Sequence, residues 1–227
     1  ATLNLSGFWT NGKDFQAIVN DNAPGVVRGY LANADKVQVR GVEADFSARP
    51  TDDLNLYVNA AYTDAKYKKF VDSPCPPELT GGTAISGSQV AGAAGVPGAL
   101  SPLSCNISGS ILPGISKWAF SFGGEYRVPA QLFSTDGEFY LGYDGSYRSK
   151  FSSNPARSIY TDVKGYALSN FRLGYRANKK WDVYGWVRNA FDQKYVEQLA
   201  TQSGSTGLII GQPGDPRTYG VTVKATF

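Results

Sequence analysis

The stretch RTYGVTVKATF, Arg217 to Phe227, alternates between polar and apolar side chains up to the last residue of the chain. This period of two predicts a β-strand with one apolar and one polar face. Chain ends in soluble sheets usually fray, whereas a terminal aromatic side chain is typical of the lipid–water interface of a transmembrane β-barrel. A membrane barrel is therefore the favoured interpretation, and an edge strand of a soluble β-sandwich is the alternative. The apolar positions are Tyr219, Val221, Val223, Ala225 and Phe227.

The composition is compatible with one large all-β domain that faces both lipid and water. The chain has 227 residues, 22 basic and 19 acidic side chains, a net charge of +3 and 13% aromatic residues. The charges are too balanced for a nucleic-acid partner, which requires a concentrated basic face. Because the chain has no histidine, it cannot form Ser-His-Asp or Cys-His catalytic sites, and no phosphate-, dinucleotide- or zinc-binding motif is present. We predict no enzymatic activity, no cofactor and no bound metal.

Seven further segments alternate in the same way, so we predict about eight long antiparallel strands. In the second segment Val37 and Val39 are out of phase with Val42, which predicts either a bulge or a change of surroundings there. The predicted strands before the terminal one cover Leu3–Ile18, Tyr30–Ala48, Leu54–Lys68, Ser116–Val128, Glu138–Arg148, Tyr166–Ala177 and Trp181–Val196.

The connections between these strands alternate between long and short. Transmembrane β-barrels combine short periplasmic turns with long extracellular loops. The sequence therefore predicts an all-β fold, an antiparallel transmembrane β-barrel segment with strands longer than the roughly 9 to 11 residues that span a bilayer. The predicted tight turns are 49–53, 129–137 and 178–180, and the longer Gly-, Ser- and Pro-rich loops include 71–113, 151–164 and 199–216.

Both cysteines of the chain, Cys75 and Cys105, lie in the first of these long loops. Two cysteines in one exposed loop favour a disulfide formed in an oxidising compartment. A closed loop of about 30 residues would stabilise the fold by roughly 3 to 4 kcal/mol in the chain-entropy model.

Three stretches resemble parts of the TonB-dependent outer-membrane receptors. VRGVEADFSARPTDDLNLYVNAAYTDAKY (Val39 to Tyr67) resembles a strand, turn and strand of that family. VRNAFDQKYVE (Val187 to Glu197) resembles its Asn-Leu-Phe-Asp-x-x-Tyr motif, with Ala190 in place of leucine. PGDPRTYGVTVKATF (Pro213 to Phe227) resembles its closing segment and last strand. The apolar alternation ending in phenylalanine also resembles the C-terminal signal by which bacterial outer-membrane barrels are recognised for assembly.

The resemblance implies a C-terminal segment, residues 1–227, of a receptor barrel whose plug domain and earlier strands are absent from this chain. Such barrels have about 22 strands and a plugged lumen. The implied location is the outer membrane of a Gram-negative bacterium. The implied function is active uptake of a scarce bulky nutrient, most generically a ferric siderophore. The implied partners are the outer-membrane lipid bilayer, the TonB complex through the missing N-terminal part, the barrel-assembly machinery through the last strand, and the small-molecule cargo.

Two rival hypotheses come from other classes of protein. Eight strands can close into a small barrel filled by side chains, which would be a structural or adhesive surface protein without TonB. A soluble secreted β-sandwich, such as a carbohydrate-binding module, is disfavoured because the aromatic faces of the fourth and fifth strands would form a large exposed apolar patch.

Polar residues that alternate away from the apolar face are the candidate lumen-facing residues. Some of them could contact the plug or line the path of the cargo, but a water-filled lumen requires polar walls in any case. Loop residues Lys150, Arg157 and Tyr160 and the Cys75–Cys105 hairpin are further candidates for ligand contact. Asn189, Phe191 and Asp192 are expected to shape the end of a strand. The lumen-facing candidates are Glu43, Asp45, Asn55, Asn59, Glu125, Arg127, Asp144, Arg148 and Arg172.

Overall fold

A computed structural model describes residues 1–20, 29–74, 105–155, 158–177, 181–201 and 208–226. Its centre is an eight-stranded antiparallel sheet in which each long strand pairs with the next one along the chain. This simple meander follows from the short turns at one end of the sheet, because antiparallel neighbours can be joined by a hairpin. The strands of this sheet are β1 Thr2–Asn20, β2 Gly29–Thr51, β3 Leu54–Lys69, β4 Trp118–Leu132, β5 Thr135–Arg148, β8 Tyr166–Ala177, β9 Trp181–Arg188 and β12 Thr218–Ala225.

Two small two-stranded sheets lie within the connections of the large one. The predicted loop 151–164 contains β6 (Phe151–Ser152), a short 3-10 helix (Ile159–Thr161) and β7 (Asp162–Val163), and β6 pairs with β7. β10 (Val196–Thr201) pairs with β11 (Ile209–Pro213). No described helix has the length and hydropathy needed to cross a membrane.

The large sheet is open, with β1 and β12 at its two edges. The described parts of these two strands do not pair with each other. This finding contradicts the hypothesis of a self-closed eight-stranded barrel. The predicted turn 178–180 and the terminal residue Phe227 lie outside the described residues.

The pairing of β2 with β3 explains why Val37 and Val39 are out of phase with Val42 in the sequence. Its register with β3 runs without interruption from Val37↔Tyr67 to Ala48↔Leu56, so no bulge separates Val39 from Val42. The irregularity lies earlier, between Lys36 and Val37. Val37 is buried and Val42 is exposed, which means that the surroundings change along the strand while the pairing continues. Of the two predicted explanations, the change of surroundings is the one that holds.

The hydrophobic core of the described chain lies at the end of the sheet where the long connections emerge. There residues 105–117 return along β3, with backbone hydrogen bonds from Leu112 N to Ala65 O (3.0 Å) and from Tyr67 N to Ser110 O (2.9 Å). The returning segment thus lies beside β3, and its side chains Ile107 and Leu112 belong to one buried cluster with small side chains of β1 to β3. The core comprises Ala17, Val19, Ala32, Ala34, Val37, Ala65, Tyr67, Phe70, Ile107 and Leu112.

Cys105 lies at the start of this returning segment, where it forms an isolated antiparallel bridge with Ser73. Cys105 is not a free cysteine. Cys75 lies outside the described residues, so the pairing of the two cysteines stays a prediction.

The β9 strand ends at Arg188, so the prediction that it continues to Val196 is wrong. A turn with positive φ at Asn189 (48°) and Asp192 (52°) interrupts the strand, and alternation alone does not reveal backbone of this kind. The following residues begin the β10–β11 hairpin, which occupies part of the predicted loop 199–216.

The predicted turn 129–137 is also wrong, because β4 and β5 remain paired down to Leu132↔Thr135. Pro129 belongs to β4 and opposes Glu138 of β5. On its other side β4 has already passed the end of β3, whose last pair is Leu54↔Tyr126. Proline has no N–H to donate, and it is tolerated in a strand where no neighbour needs that donor.

The real β4–β5 turn consists of Phe133 and Ser134, which adopt φ values of 50° and 59°. Two-residue turns with positive φ at both positions strongly prefer Asn-Gly, because other residues are strained in that region. We expect the double change F133N/S134G to raise the free energy of unfolding by about 1 kcal/mol. Chemical denaturation of the protein in lipid vesicles measures the change, and a loss of stability would contradict the turn geometry.

Candidate functional site: two faces of a membrane wall

Strand register divides the side chains of the large sheet into an apolar and a polar face. The apolar face carries aliphatic and aromatic side chains that remain exposed, such as Leu173 at 62% and Val221 at 73%. Between Trp118 and Tyr126 of β4, and across the sheet at that height, no described residue on this face is charged. An exposed, uncharged and continuous surface of this size requires an apolar partner.

Aromatic side chains mark both margins of the apolar face. At the margin nearer the long connections, called the upper margin, the rings of Tyr62 and Trp118 are 4.8 Å apart, and Phe120 stacks next to Trp118 at 5.8 Å. At the lower margin Phe139 contacts Tyr175 at 4.9 Å. Phe139 of the lower margin pairs with Val128, and ten residues at about 3.4 Å each separate Val128 from Trp118 along β4. With the usual tilt of 35 to 45°, the band is about 26 Å tall, close to that of outer-membrane barrels.

The polar face carries a network of ion pairs centred on two arginines of β8. Arg172 donates from Nη1 to Asp144 Oδ2 (2.8 Å) and from Nη2 to Glu125 Oε2 (3.3 Å). Asp144 also accepts a hydrogen bond from the hydroxyl of Tyr57 at 2.7 Å. The guanidinium group therefore joins β4, β5 and β8 and, through Tyr57, β3 as well.

Arg176 extends the network two steps of the pleat further along the same strand. Its Nη1 donates to Glu138 Oε1 at 2.8 Å and lies 3.5 Å from Glu125 Oε1, and its Nε lies 3.9 Å from Asp182 Oδ2. The guanidinium group also covers the ring of Tyr140, whose hydroxyl donates to Asp182 at 2.8 Å. Both arginines keep more than a third of their side-chain surface accessible, so water screens these contacts and each pair stabilises the fold by at most about 1 kcal/mol.

The remaining candidates lie on the same polar face but outside this network. Asn59 donates to Ser121 Oγ at 3.1 Å, and Asn55 opposes Glu125 across the β3–β4 pair. Glu43 and Asp45 of β2 line a cavity of about 310 Å³ together with Asn59 and Ser121. The wall around that cavity is acidic, whereas the wall around Arg172 and Arg176 contains both charges.

Arg127 and Arg148 bind backbone carbonyl groups at opposite ends of the sheet. Arg127 donates to the carbonyl of Asp52 at 3.4 Å, in the β2–β3 turn. Arg148 donates to the carbonyl of Gly114 at 3.0 Å and to Ser116 Oγ at 3.1 Å. These two arginines hold connecting segments, and alternation along the strands did not reveal these separate contacts.

Sequence reasoning omitted Arg176 together with Glu138, Tyr140 and Asp182 from the candidates. Arg176 is four residues after Arg172 on a strand, and residues separated by an even number share a face. That spacing was available in the sequence. The partnership with Asp182 depends on the register Arg176↔Asp182, which the sequence does not specify.

A second cavity, of about 330 Å³, lies among the connections that follow β5 and β9. The ring centres of Tyr166 and Tyr195 are 4.4 Å apart with the rings inclined by 36°, and Lys164 and Lys194 also line the cavity. The cavity wall therefore combines aromatic surface with two lysines and the carboxylate of Asp162, and Lys194 is paired with Asp192. Of the loop candidates, Tyr160 is exposed, Lys150 pairs with Asp162 at 2.7 Å, and Arg157 lies outside the described residues.

Asn189 organises the turn that follows β9, as expected for a residue that shapes the end of a strand. Its Nδ2 donates to the carbonyl groups of Gln193 and Asp215 at 3.0 Å each, and its Oδ1 accepts from Gln193 N at 2.8 Å. Asp192 accepts from Lys194 Nζ at 3.0 Å and from Arg217 N at 3.2 Å. These two bonds hold the pKa of Asp192 below its usual range. The turn thus ties β9 to the segment that leads into β12.

Tyr67 and Tyr57 on β3 have hydroxyl groups in opposite surroundings, so removal of each hydroxyl should change the stability of the protein in a different direction. Tyr67 is fully buried, and its hydroxyl has no hydrogen-bond partner in the described part of the chain, whereas Tyr57 binds Asp144. We expect Tyr67→Phe to leave the free energy of unfolding unchanged or to raise it by up to about 1 kcal/mol, because a desolvated hydroxyl is removed. We expect Tyr57→Phe to lower it by about 1.5 kcal/mol. Denaturation of both variants under the same conditions tests these two predictions. Equal changes in the free energy of unfolding would contradict them.

An apolar band bounded by aromatic residues on one face and an ionic network on the other define a segment of the wall of a transmembrane β-barrel. The chain belongs to the TonB dependent receptor-like, beta-barrel family, whose profile matches residues 1–190. It is accordingly a protein of the Gram-negative outer membrane.

Curated relatives and solved structures of this kind are similar to the chain over a minor part of their own length. The ferric-pyoverdine M114 receptor PbuA of Pseudomonas sp. (strain M114) is 26% identical over 86% of this chain and 19% of its own. The catecholate siderophore receptor Fiu of Escherichia coli (strain K12) is 29% identical over 52% of this chain and 14% of its own. The crystal structure of the ferric yersiniabactin uptake receptor FyuA from Yersinia pestis superposes with a TM-score of 0.68 at 15% identity, covering 99% of this chain and 27% of that one.

Proposed function

We propose that this chain forms the C-terminal wall of a receptor barrel that imports a ferric siderophore across the outer membrane. The proposal is carried by the family to which the chain belongs and by its open eight-stranded sheet. It is supported by relatives named as ferric-pyoverdine and catecholate siderophore receptors. An open sheet needs further strands at its edges to close. In this proposal those strands and the plug domain precede residue 1, and import is energised by the TonB complex through the plug side of the protein.

Within this function the ionic network is proposed to form the part of the wall against which a plug packs. Arg172 and Arg176 combine fixed carboxylate partners with accessible surface, so they can donate additional hydrogen bonds without losing their present ones. The remaining lumen-facing candidates, Glu43, Asp45, Asn55 and Asn59 among them, would provide the polar surface that a hydrated interior requires.

The cavity beside Tyr166 and Tyr195 is proposed to contact the cargo. Ferric siderophores present oxygen-rich, commonly anionic chelates, and the exposed Lys164 supplies positive charge next to two aromatic rings 4.4 Å apart. Lys194 also lines the cavity and is paired with Asp192. Loops held on a rigid scaffold commonly carry recognition, and here the scaffold is the end of β8 and the turn organised by Asn189.

Uptake of radiolabelled iron tests the proposed function directly. The complete receptor is expressed in cells that lack their own siderophore receptors, and ferric complexes of pyoverdine, catecholate and hydroxamate type are supplied separately. We expect uptake of at least one complex, and loss of that uptake in a TonB-deficient strain. The proposed cargo would be overturned if the receptor inserts normally and the cells take up cobalamin or an oligosaccharide but no ferric siderophore.

A charge change in the cavity tests the proposed contact. We expect Lys164→Gln to weaken binding of an anionic ferric siderophore about fivefold, which corresponds to about 1 kcal/mol for one exposed cation. Lys117→Gln, which removes an exposed lysine outside the cavity, is the matched control and should leave affinity unchanged. Equal affinity of both variants would remove this cavity from the proposal without affecting the transport assay.

The last strand is proposed to be the segment that the barrel-assembly machinery recognises. Tyr219, Val221 and Val223 are exposed along the apolar face of β12, at the open edge of the sheet, where another chain can pair with it. Polar replacement of Val221 and Val223 together is expected to reduce the amount of receptor inserted in the membrane.

A further inference from the structure

Charged residues on the lipid-facing side of the sheet occur just beyond the upper aromatic margin. Arg40 opposes Trp9 on one side and Asp64 on the other. One step of the pleat further from the band, Gln38 opposes Asn11 and Lys66, and a further step away Lys13 opposes Lys36. We call the cations of these three rows, Lys13, Lys36, Arg40 and Lys66, the outer basic patch.

A single carboxylate organises half of this patch. Asp64 Oδ2 accepts from Arg40 Nη2 at 2.9 Å and from Lys66 Nζ at 3.0 Å. The Asp64 side chain is 9% accessible, whereas that of Arg40 is 45% accessible and its guanidinium group lies 5.5 Å from the centre of the Trp9 ring. The carboxylate thus fixes the position of two cations at the surface while neutralising only one charge.

The other half of the patch places like charges directly opposite each other. Lys13 and Lys36 are cross-strand partners, and both are exposed. Neither forms an ion pair within the described part of the chain, and the neighbouring Lys69 is paired with Asp35 at 2.9 Å. Facing like charges destabilise a strand pair, so an anion between these lysines would relieve an unfavourable arrangement.

We propose that the outer basic patch binds the phosphate groups of a glycolipid of the outer leaflet, with the phosphorylated glucosamine disaccharide of lipid A as the ligand. With Asp64 counted against the four cations, the patch carries a charge of +3 at the height of the headgroups. Cations next to a bilayer surface attract anionic headgroups. Below the patch, Leu5 and Val42 are exposed on the apolar face, where acyl chains of the same lipid would pack. The inference rests on the outer-membrane location and is independent of the cargo.

Binding of defined lipids to the complete receptor tests the proposal. The receptor in detergent micelles is titrated with bisphosphorylated lipid A, with enzymatically dephosphorylated lipid A, with phosphatidylglycerol and with inorganic pyrophosphate, and bound lipid is counted by native mass spectrometry. We expect bisphosphorylated lipid A to bind most tightly. The variant K13Q/K36Q, which leaves the Asp64 ion pairs intact, should weaken that binding about 25-fold, since each lysine near an anionic surface contributes a factor of about five.

The matched control is K117Q/K224Q, which removes two exposed lysines from the polar face and should leave lipid binding unchanged. Equal affinity for dephosphorylated lipid A would overturn the proposal, as would an equal loss of affinity in both double variants. Binding of phosphatidylglycerol or of free pyrophosphate as tight as that of lipid A would show general attraction of anions, and would also overturn it. Because the readout is bound lipid, failure of iron uptake would not affect the result.

Discussion

Replacing Asn189 by alanine is expected to lower the free energy of unfolding by about 3 to 4 kcal/mol, the largest effect of a single change considered for this chain. Three side-chain hydrogen bonds to Gln193 and Asp215 would be lost, at about 1 kcal/mol each. Alanine would also have to adopt a φ of 48°, which costs roughly 1 kcal/mol outside glycine, asparagine and aspartate. Denaturation of the complete receptor in lipid vesicles measures the change.

Two further variants separate the causes of this loss. Asn189→Gly removes the same hydrogen bonds without the backbone strain, so it should be about 1 kcal/mol less harmful than alanine. Gln193→Ala keeps the backbone atoms that bind Asn189 and removes only a side chain that bonds to Lys194 O. It should change stability by less than about 0.5 kcal/mol. A Gln193→Ala effect as large as that of Asn189→Ala would contradict the role of the asparagine.

Replacing Arg176 by methionine is expected to lower the free energy of unfolding by about 2 kcal/mol at low salt. The change leaves Glu125, Glu138 and Asp182 without the cation they share, and it removes the cation–π contact with Tyr140. Each contact is partly screened because the guanidinium group is accessible, so the sum is modest. Denaturation of the receptor at two salt concentrations should show a smaller effect at high salt.

Arg188 on β9 offers a matched control for this prediction. It is a polar-face arginine whose described contact is with the ring of Trp186 at 5.2 Å. Arg188→Met should therefore cost less than about 0.5 kcal/mol and should show little dependence on salt. Equal losses in Arg176→Met and Arg188→Met would mean that the ionic network contributes nothing specific.

Alternation predicts the strands of this fold well because each strand has lipid on one side and polar groups on the other. Tyr166–Ala177 is predicted at both ends as the structure has it. The wrongly predicted turn after β4 and the wrongly predicted end of β9 both depend on contacts with residues distant in sequence. Pro129 is accommodated inside β4 only because β3 has already ended, and β9 stops at Arg188 because Asn189 can reach Asp215. Both conditions depend on segments distant in sequence.

The same limit applies to the candidate site. Period two correctly assigns Arg127, Arg148 and Arg172 to one face, but only the register shows that Arg172 joins two carboxylates while the other two bind backbone carbonyl groups. The outer basic patch is likewise assembled by register, since Lys13 and Lys36 face each other only when β1 and β2 pair in this alignment. Contacts between strands are therefore the part that a single sequence does not specify.

The central claim, that the two faces of this sheet meet lipid and the barrel interior, is tested most directly by site-directed spin labelling of the complete receptor in liposomes. Labels are placed singly at Leu173, Val221, Asn170 and Thr222, in a background where Cys75, Cys105 and any cysteine outside this chain are serine. The structure predicts high accessibility to oxygen at Leu173 and Val221, and high accessibility to a water-soluble nickel complex at Asn170 and Thr222. Uniform accessibility at the four positions, or the reverse pattern, would contradict the membrane-wall account.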